Sequence, residues 1–262
     1  MFTVNNIHLM IDKTRKIFTE IVKFVKNGEI DKLSLGTSII YLNSIFEHLH
    51  SIEMLMDKGL IESAGSIATS LWERSITLQY ILTNPTILSK EHSEHKFLRK
   101  TPWNIKHMIN CIIDNEHTNF VKNKKIEKET FYFQYTYLCA IKHGNPYTLS
   151  YLNRLSKSNE DDNIIGLKPN FSPEDTDLKK YILLLSITTA LDALYNFSRI
   201  YCTYEKTNEL KLMKSEYENI IVNNIPLKVP QIIYGSLNEF SDDFIEHAKE
   251  IVRILATAHK KR

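Results

Sequence analysis

Apolar residues recur every three to four positions over most of this chain. Between residues 5 and 27 they fall at Ile7, Met10, Ile11, Ile17, Phe18, Ile21, Val22 and Val25. That spacing gathers them on one side of a helix. Gly28 follows as the expected C-cap. The same period runs over 30–58 and stops at Gly59, then over 60–83 and stops at Asn84-Pro85. Long helices joined by very short turns predict an antiparallel bundle.

Residues 86–126 are less regular and predict two or three shorter helices, one starting near Pro102. A helix rich in aromatics follows over 128–143, with Phe131, Tyr132, Phe133, Tyr135 and Tyr137. The stretch NRLSKSNEDDNIIGLKPNFS, 153–172, is polar and turn-rich and reads as a long loop. Ser172-Pro173-Glu174-Asp175 has the order of a helix start: Ser at the N-cap, Pro at the first helical position, acids in the first turn. The helix it opens is expected to run to about 203, followed by a shorter one over 206–222. Residues 223–235 read as extended, and a last helix covers 240–260. The pattern predicts an all-α, multi-helix bundle. No composition break separates two cores, so a single domain is expected over 1–262, with its core at 5–203 and a C-terminal helical extension at 204–262.

Composition narrows the functional classes. At 43% hydrophobic the chain can supply a sizeable core, and only seven glycines and seven prolines interrupt it. The net charge of +2 sets up no overall field for nucleic acid or membrane, so contact with a polyanion would have to come from a local patch. Cys111, Cys139 and Cys202 stand far apart without a C-x-x-C, which fits reduced thiols and a cytoplasmic protein. The opening MFTVNNIHLMIDKTRK has no uninterrupted apolar stretch, so no signal peptide is expected. The most apolar run, YILLLSITTALDALYNF at 181–197, is short of a membrane span and carries Asp192. It reads as a buried core helix, and no membrane contact is expected.

Chemistry-bearing residues concentrate in two stretches. In SIATSLWERSITLQYIL, helical spacing lines Arg74 up with Leu71, Leu78 and Ile81, which predicts a buried guanidinium. Such a group needs a carboxylate or carbonyls. Arg74 is then either a structural ion pair inside the bundle or a cation facing a substrate phosphate. In YLCAIKHGNP, a helical run stops at His143-Gly144, with Cys139, Thr136 and Tyr132 on the same side as the imidazole. His143 either caps free carbonyls at the helix end or serves as a general acid and base. Lys122, Lys124, Lys125 and Lys128 form a basic run ahead of that helix. With Lys142 and Asn145 they are the candidate phosphate contacts, against the alternative of an ordinary solvated face.

Other motifs exclude more than they suggest. His92 and His95 stand at i, i+3 but lack a third ligand at metal spacing, and there is no H-E-x-x-H. No metal and no cofactor are expected. The chain has no G-x-x-x-x-G-K, G-x-G-x-x-G or G-x-S-x-G, which argues against NTPase, dinucleotide and α/β-hydrolase chemistry.

Together, SLWERSITLQYILTNP and YTYLCAIKHGNP resemble a group of bacterial helical proteins related to the higher eukaryotes and prokaryotes nucleotide-binding (HEPN) superfamily. The resemblance covers about residues 60–150 and implies a helical bundle, often a homodimer. It also implies metal-independent cleavage of RNA by an effector of bacterial defence, working beside a partner protein from the same operon. The superfamily signature places an Arg, often followed by Asn, about four to six residues before a His that Gly often follows. His143 and Gly144 match it. Thr136, Tyr137 and Leu138 stand where the Arg would be, and Cys139 where an Asn would follow. A cation supplied by Arg74 from the neighbouring helix, with Glu73 orienting it, would fill the gap. Two functions are therefore expected from different classes: a ribonuclease using His143, Arg74 and Glu73, or a non-catalytic helical module that binds a protein partner or a nucleotide-like ligand.

Overall fold

A computed structural model describes residues 3–26, 28–95, 102–115, 124–142 and 177–224. Eight α-helices pack together over this span: α1 (Val4–Glu20), α2 (Lys32–Asp57), α3 (Ile61–Thr83), α4 (Pro85–Glu94), α5 (Ile105–Asn115), α6 (Lys124–Lys142), α7 (Asp177–Tyr201) and α8 (Tyr204–Asn224). The all-α class expected from the periodicity is the observed one.

Helix α3 is the centre of the bundle. It packs against α2, α4, α5, α6 and α7. Its second half is buried on every side, from Ser75 through Leu82. That explains its weak amphipathic pattern: a helix covered all round has no polar face to contrast with. Leu71, Trp72, Ile76, Leu78 and Ile81 of α3 join Leu183, Ile187, Leu191 and Leu194 of α7 in one core. The apolar run predicted as a core helix is α7. By length and hydropathy it would also pass as a membrane span, but most of its apolar side chains are buried inside the bundle.

Local chemistry sets the ends. Asp31 caps α2 by accepting from the Leu33 N–H at 3.1 Å. At the other end Gly59 takes φ of +73°, and the Leu60 N–H reaches back to the Leu55 carbonyl at 2.9 Å. This left-handed stop folds α3 back against α2, as the sequence predicts for Gly59. Pro85 occupies the first position of α4, where its missing N–H costs nothing.

The structure corrects three expected boundaries. The first helix ends at Glu20 and tightens to a 3-10 turn over Ile21–Phe24, so Gly28 is not its cap. Long-range pairing ends it early: Val25 bridges Cys202, Lys26 donates to the Tyr201 carbonyl at 2.8 Å, and Thr203 donates to Phe24 at 3.0 Å. Helix α6 begins at Lys124, so Lys124, Lys125 and Lys128 lie on it and not ahead of it. Asn223 and Asn224 close α8, where an extended stretch was expected. The expected loop at 153–172, the start at 172–175 and the helix at 240–260 lie outside the described residues.

Candidate functional site

The α3–α6 contact positions the first candidate residues. Gly65 lies directly under Ile141, so close that an added Cβ would collide with that side chain. One turn on, Thr69 donates its hydroxyl to the Leu138 carbonyl at 3.1 Å. Trp72 follows, donating Nε1–H to Gln134 Oε1 at 3.3 Å and stacking on Tyr135 with ring centroids 5.3 Å apart. The helices therefore run antiparallel. Glu73, half-buried, turns toward α6, where its charge acts on both the Tyr135 hydroxyl and the Cys139 thiol. Burial pushes the Tyr135 hydroxyl well above its ordinary value, and the neighbouring Cys139 and Glu73 push it further. The Cys139 thiol is also held up, chiefly by burial. At neutral pH both groups are protonated hydrogen-bond donors.

Arg74 goes the other way. It was expected inside an apolar stripe with Leu71, Leu78 and Ile81. Those three are buried, but Arg74 is exposed. The physical reason is reach: a guanidinium at the edge of a stripe can extend past the packed seam to water, avoiding the several kcal/mol that desolvating it would cost. It forms no ion pair among the described residues, so the core-pair reading of Arg74 is overturned. Its charge is felt on α2 by Tyr41 and His48. Burial raises the Tyr41 hydroxyl, and the nearby Arg74 only partly offsets this. His48 is held below its ordinary value, first by burial and then by Arg74. Its Nδ1 lies 2.7 Å from the Ser44 carbonyl, so Nδ1 carries the proton and Nε2 is left as an acceptor. Tyr41 continues the group, its hydroxyl 2.8 Å from His92 Nε2.

Glu73 thus acts on α6 and Arg74 on α2, and no ion pair joins the two among the described residues. Lys142, the last described residue of α6, comes level with the start of α3, roughly 12 Å along the axis from Glu73 at 1.5 Å per residue. His143, Gly144, Asn145 and Lys122 lie outside the described residues. Of the remaining lysines, Lys124 and Lys142 are exposed, and Lys124 Nζ reaches the Asp114 carbonyl at 3.3 Å. Lys128 is held by the Asp114 carboxylate at 2.9 and 3.0 Å. Part of the basic run is therefore tied to α5.

Sequence reading missed the groups that long-range packing assembles. His92 does not stand on a simply solvated face. Besides Tyr41 it lies against Trp103, whose indole N–H donates to Glu91 at 2.8 Å. Tyr80 packs edge-on against Trp103, and its hydroxyl is 3.1 Å from His107 Nε2. Nothing in local spacing links residues from four different segments. Among the described residues no three His, Cys, Asp or Glu side chains converge as a metal site would require. Compared with known protein families, curated proteins and solved structures, the chain gives no match. The functional reading therefore rests on its own geometry.

Proposed function

We propose that the protein is a HEPN-like helical module that binds RNA without cutting it, by phosphate contact at the α2–α3 seam. One observation carries the reading: Arg74 stands exposed, with no carboxylate partner among the described residues, its charge acting on His48 of α2. A guanidinium has five donors in a planar fork that matches phosphate oxygens. A cation already paired with a carboxylate would have to break that pair first. Exposed Lys142 adds a second positive point on the α6 side. The near-neutral chain makes such contact local, by a few phosphates.

A second reading keeps the ribonuclease. It is favoured by the Glu73–Tyr135–Cys139 group, because Cys139 stands one helical turn before His143 in the sequence. In that reading His143 is the acid and base, and the protein is a cytoplasmic effector of bacterial defence. Homodimerisation and a partner protein from the same operon accompany it, on the resemblance alone. The readings separate in one assay. Labelled single-stranded RNA is incubated with the full chain in a chelating buffer, and its length is followed on a gel. Intact RNA, retained by the protein, is the expected result. Cleavage that disappears in His143→Ala would overturn the binding reading and establish the enzyme.

A further inference from the structure

A second polar site lies at the far end of α3, where it meets α5 and α7. A cleft of about 230 Å³ opens there, lined by Gln79, Thr83, Asn115, Asn196 and Arg199 among others. A chain of hydrogen bonds fixes its floor. Ser75 donates to the Thr189 carbonyl at 3.1 Å, and Gln79 donates to Ser75 Oγ at 3.1 Å. Asn196 donates to Gln79 Oε1 at 3.2 Å and to the Asp192 carbonyl at 3.0 Å. Arg199 then donates to Asn196 Oδ1 at 3.2 Å. Both amide N–H groups of Asn196 are spent, so neither amide can flip without breaking the chain.

This inventory leaves donors over. Gln79, only 6% exposed, keeps one amide N–H beyond its bond to Ser75. Arg199 uses one of its five N–H groups on Asn196, and its guanidinium lies 5.9 Å from the Tyr195 ring. Asn115 spends its amide nitrogen on the Cys111 carbonyl at 2.9 Å, leaving its oxygen as an acceptor. Among the described residues no carboxylate lines the cleft, and the acid of the network, Asp192, is taken by Lys214 at 2.7 Å. Leu82 and Ile112 supply apolar wall. The cleft is thus a cationic fork and a buried amide donor beside an aliphatic surface, in a volume below that of most drug-sized sites.

We propose that this cleft binds a small monocarboxylate with an apolar body. Arg199 grips the carboxylate through its fork, Gln79 adds a fixed N–H, and Leu82 and Ile112 cover the body. The site is independent of Arg74 and of RNA. The experiment is calorimetric titration of the full chain with benzoate and with butyrate, with inorganic phosphate and butylamine in parallel. Saturable binding of a carboxylate is expected, and none of butylamine. Arg199→Ala should weaken that binding about tenfold or more. Arg199→Lys, which keeps the charge without the fork, should fall between. Arg199 is exposed, so the melting temperature of the unliganded variants should match the parent. No saturable binding of either carboxylate, tighter binding of phosphate than of both, or affinity unchanged in Arg199→Ala would each overturn the proposal.

Discussion

Gly65→Ala sets two effects of opposite sign against each other. In the interior of α3, alanine in place of glycine gains about 0.8–1.0 kcal/mol of helix propensity. The new Cβ, however, would collide with Ile141 Cγ2 and come within 3.3 Å of Ile141 Cβ. Ile141 is 1% exposed and, being β-branched in a helix, has one strongly preferred rotamer. It cannot swing aside, so α3 and α6 must separate. Overpacking of this kind costs about 1–3 kcal/mol, and a rigid neighbour puts the cost toward the upper end. The net loss should be about 1–2 kcal/mol. Gly36 in α2 is the internal control: a Cβ there meets nothing within 4 Å, so Gly36→Ala should stabilise by up to about 1 kcal/mol. Urea unfolding measures both as midpoint shifts at constant slope. In Gly65→Ala/Ile141→Ala the two changes should compensate, with a coupling of at least about 0.5 kcal/mol in the stabilising direction. If Gly65→Ala stabilises as much as Gly36→Ala, the close α3–α6 contact that positions Glu73 against Tyr135 does not exist.

Arg74→Ala should leave urea stability within about 0.5 kcal/mol, because the side chain is exposed and has no ion pair among the described residues; a loss of about 3 kcal/mol would restore the buried-pair reading. Glu53→Gln should cost about 1.5–3 kcal/mol at neutral pH, since the mostly buried carboxylate is bonded to His8 at 2.7 Å and Arg15 at 2.6 Å. Burial raises that carboxyl, but the bonds from His8 and Arg15 prevail and leave it below its ordinary 4.5. Its contribution is therefore present above pH 4.5 and lost as pH falls through the lower folded value, so the gap between parent and Glu53→Gln should close in acid. His48 and His92 are both held below the ordinary 6.5, chiefly by burial, so each favours the fold in its neutral form. Stability should fall as pH drops below 6.5, and melting curves of His48→Gln/His92→Gln should lose most of that slope.

Periodicity made the bundle legible because long helices carry their own signal. Gly59 and Asn84-Pro85 marked ends that depend only on local backbone chemistry. The early end of α1 was hidden, because it is set by pairing with Tyr201 and Thr203 far along the chain. Arg74 failed for a different reason. The stripe of Leu71, Leu78 and Ile81 was correctly read as buried, but the position of a Cα does not decide where a long side chain ends. The direction of Glu73 depended on which helix lay beside it, and neighbouring helices are not encoded in spacing. The cleft of Gln79, Asn196 and Arg199 had no local trace at all. Its amides look like ordinary polar residues until α3 and α7 are packed side by side.

The proposed contact of Arg74 with a phosphate chain is tested most directly by fluorescence anisotropy. Labelled single-stranded RNA would be titrated with the parent and with Arg74→Ala across a series of salt concentrations. The account predicts salt-dependent binding by the parent. In Arg74→Ala the binding weakens for every RNA sequence alike, and the salt slope drops by about one. No binding at low salt, or the same affinity and slope in both proteins, would contradict it.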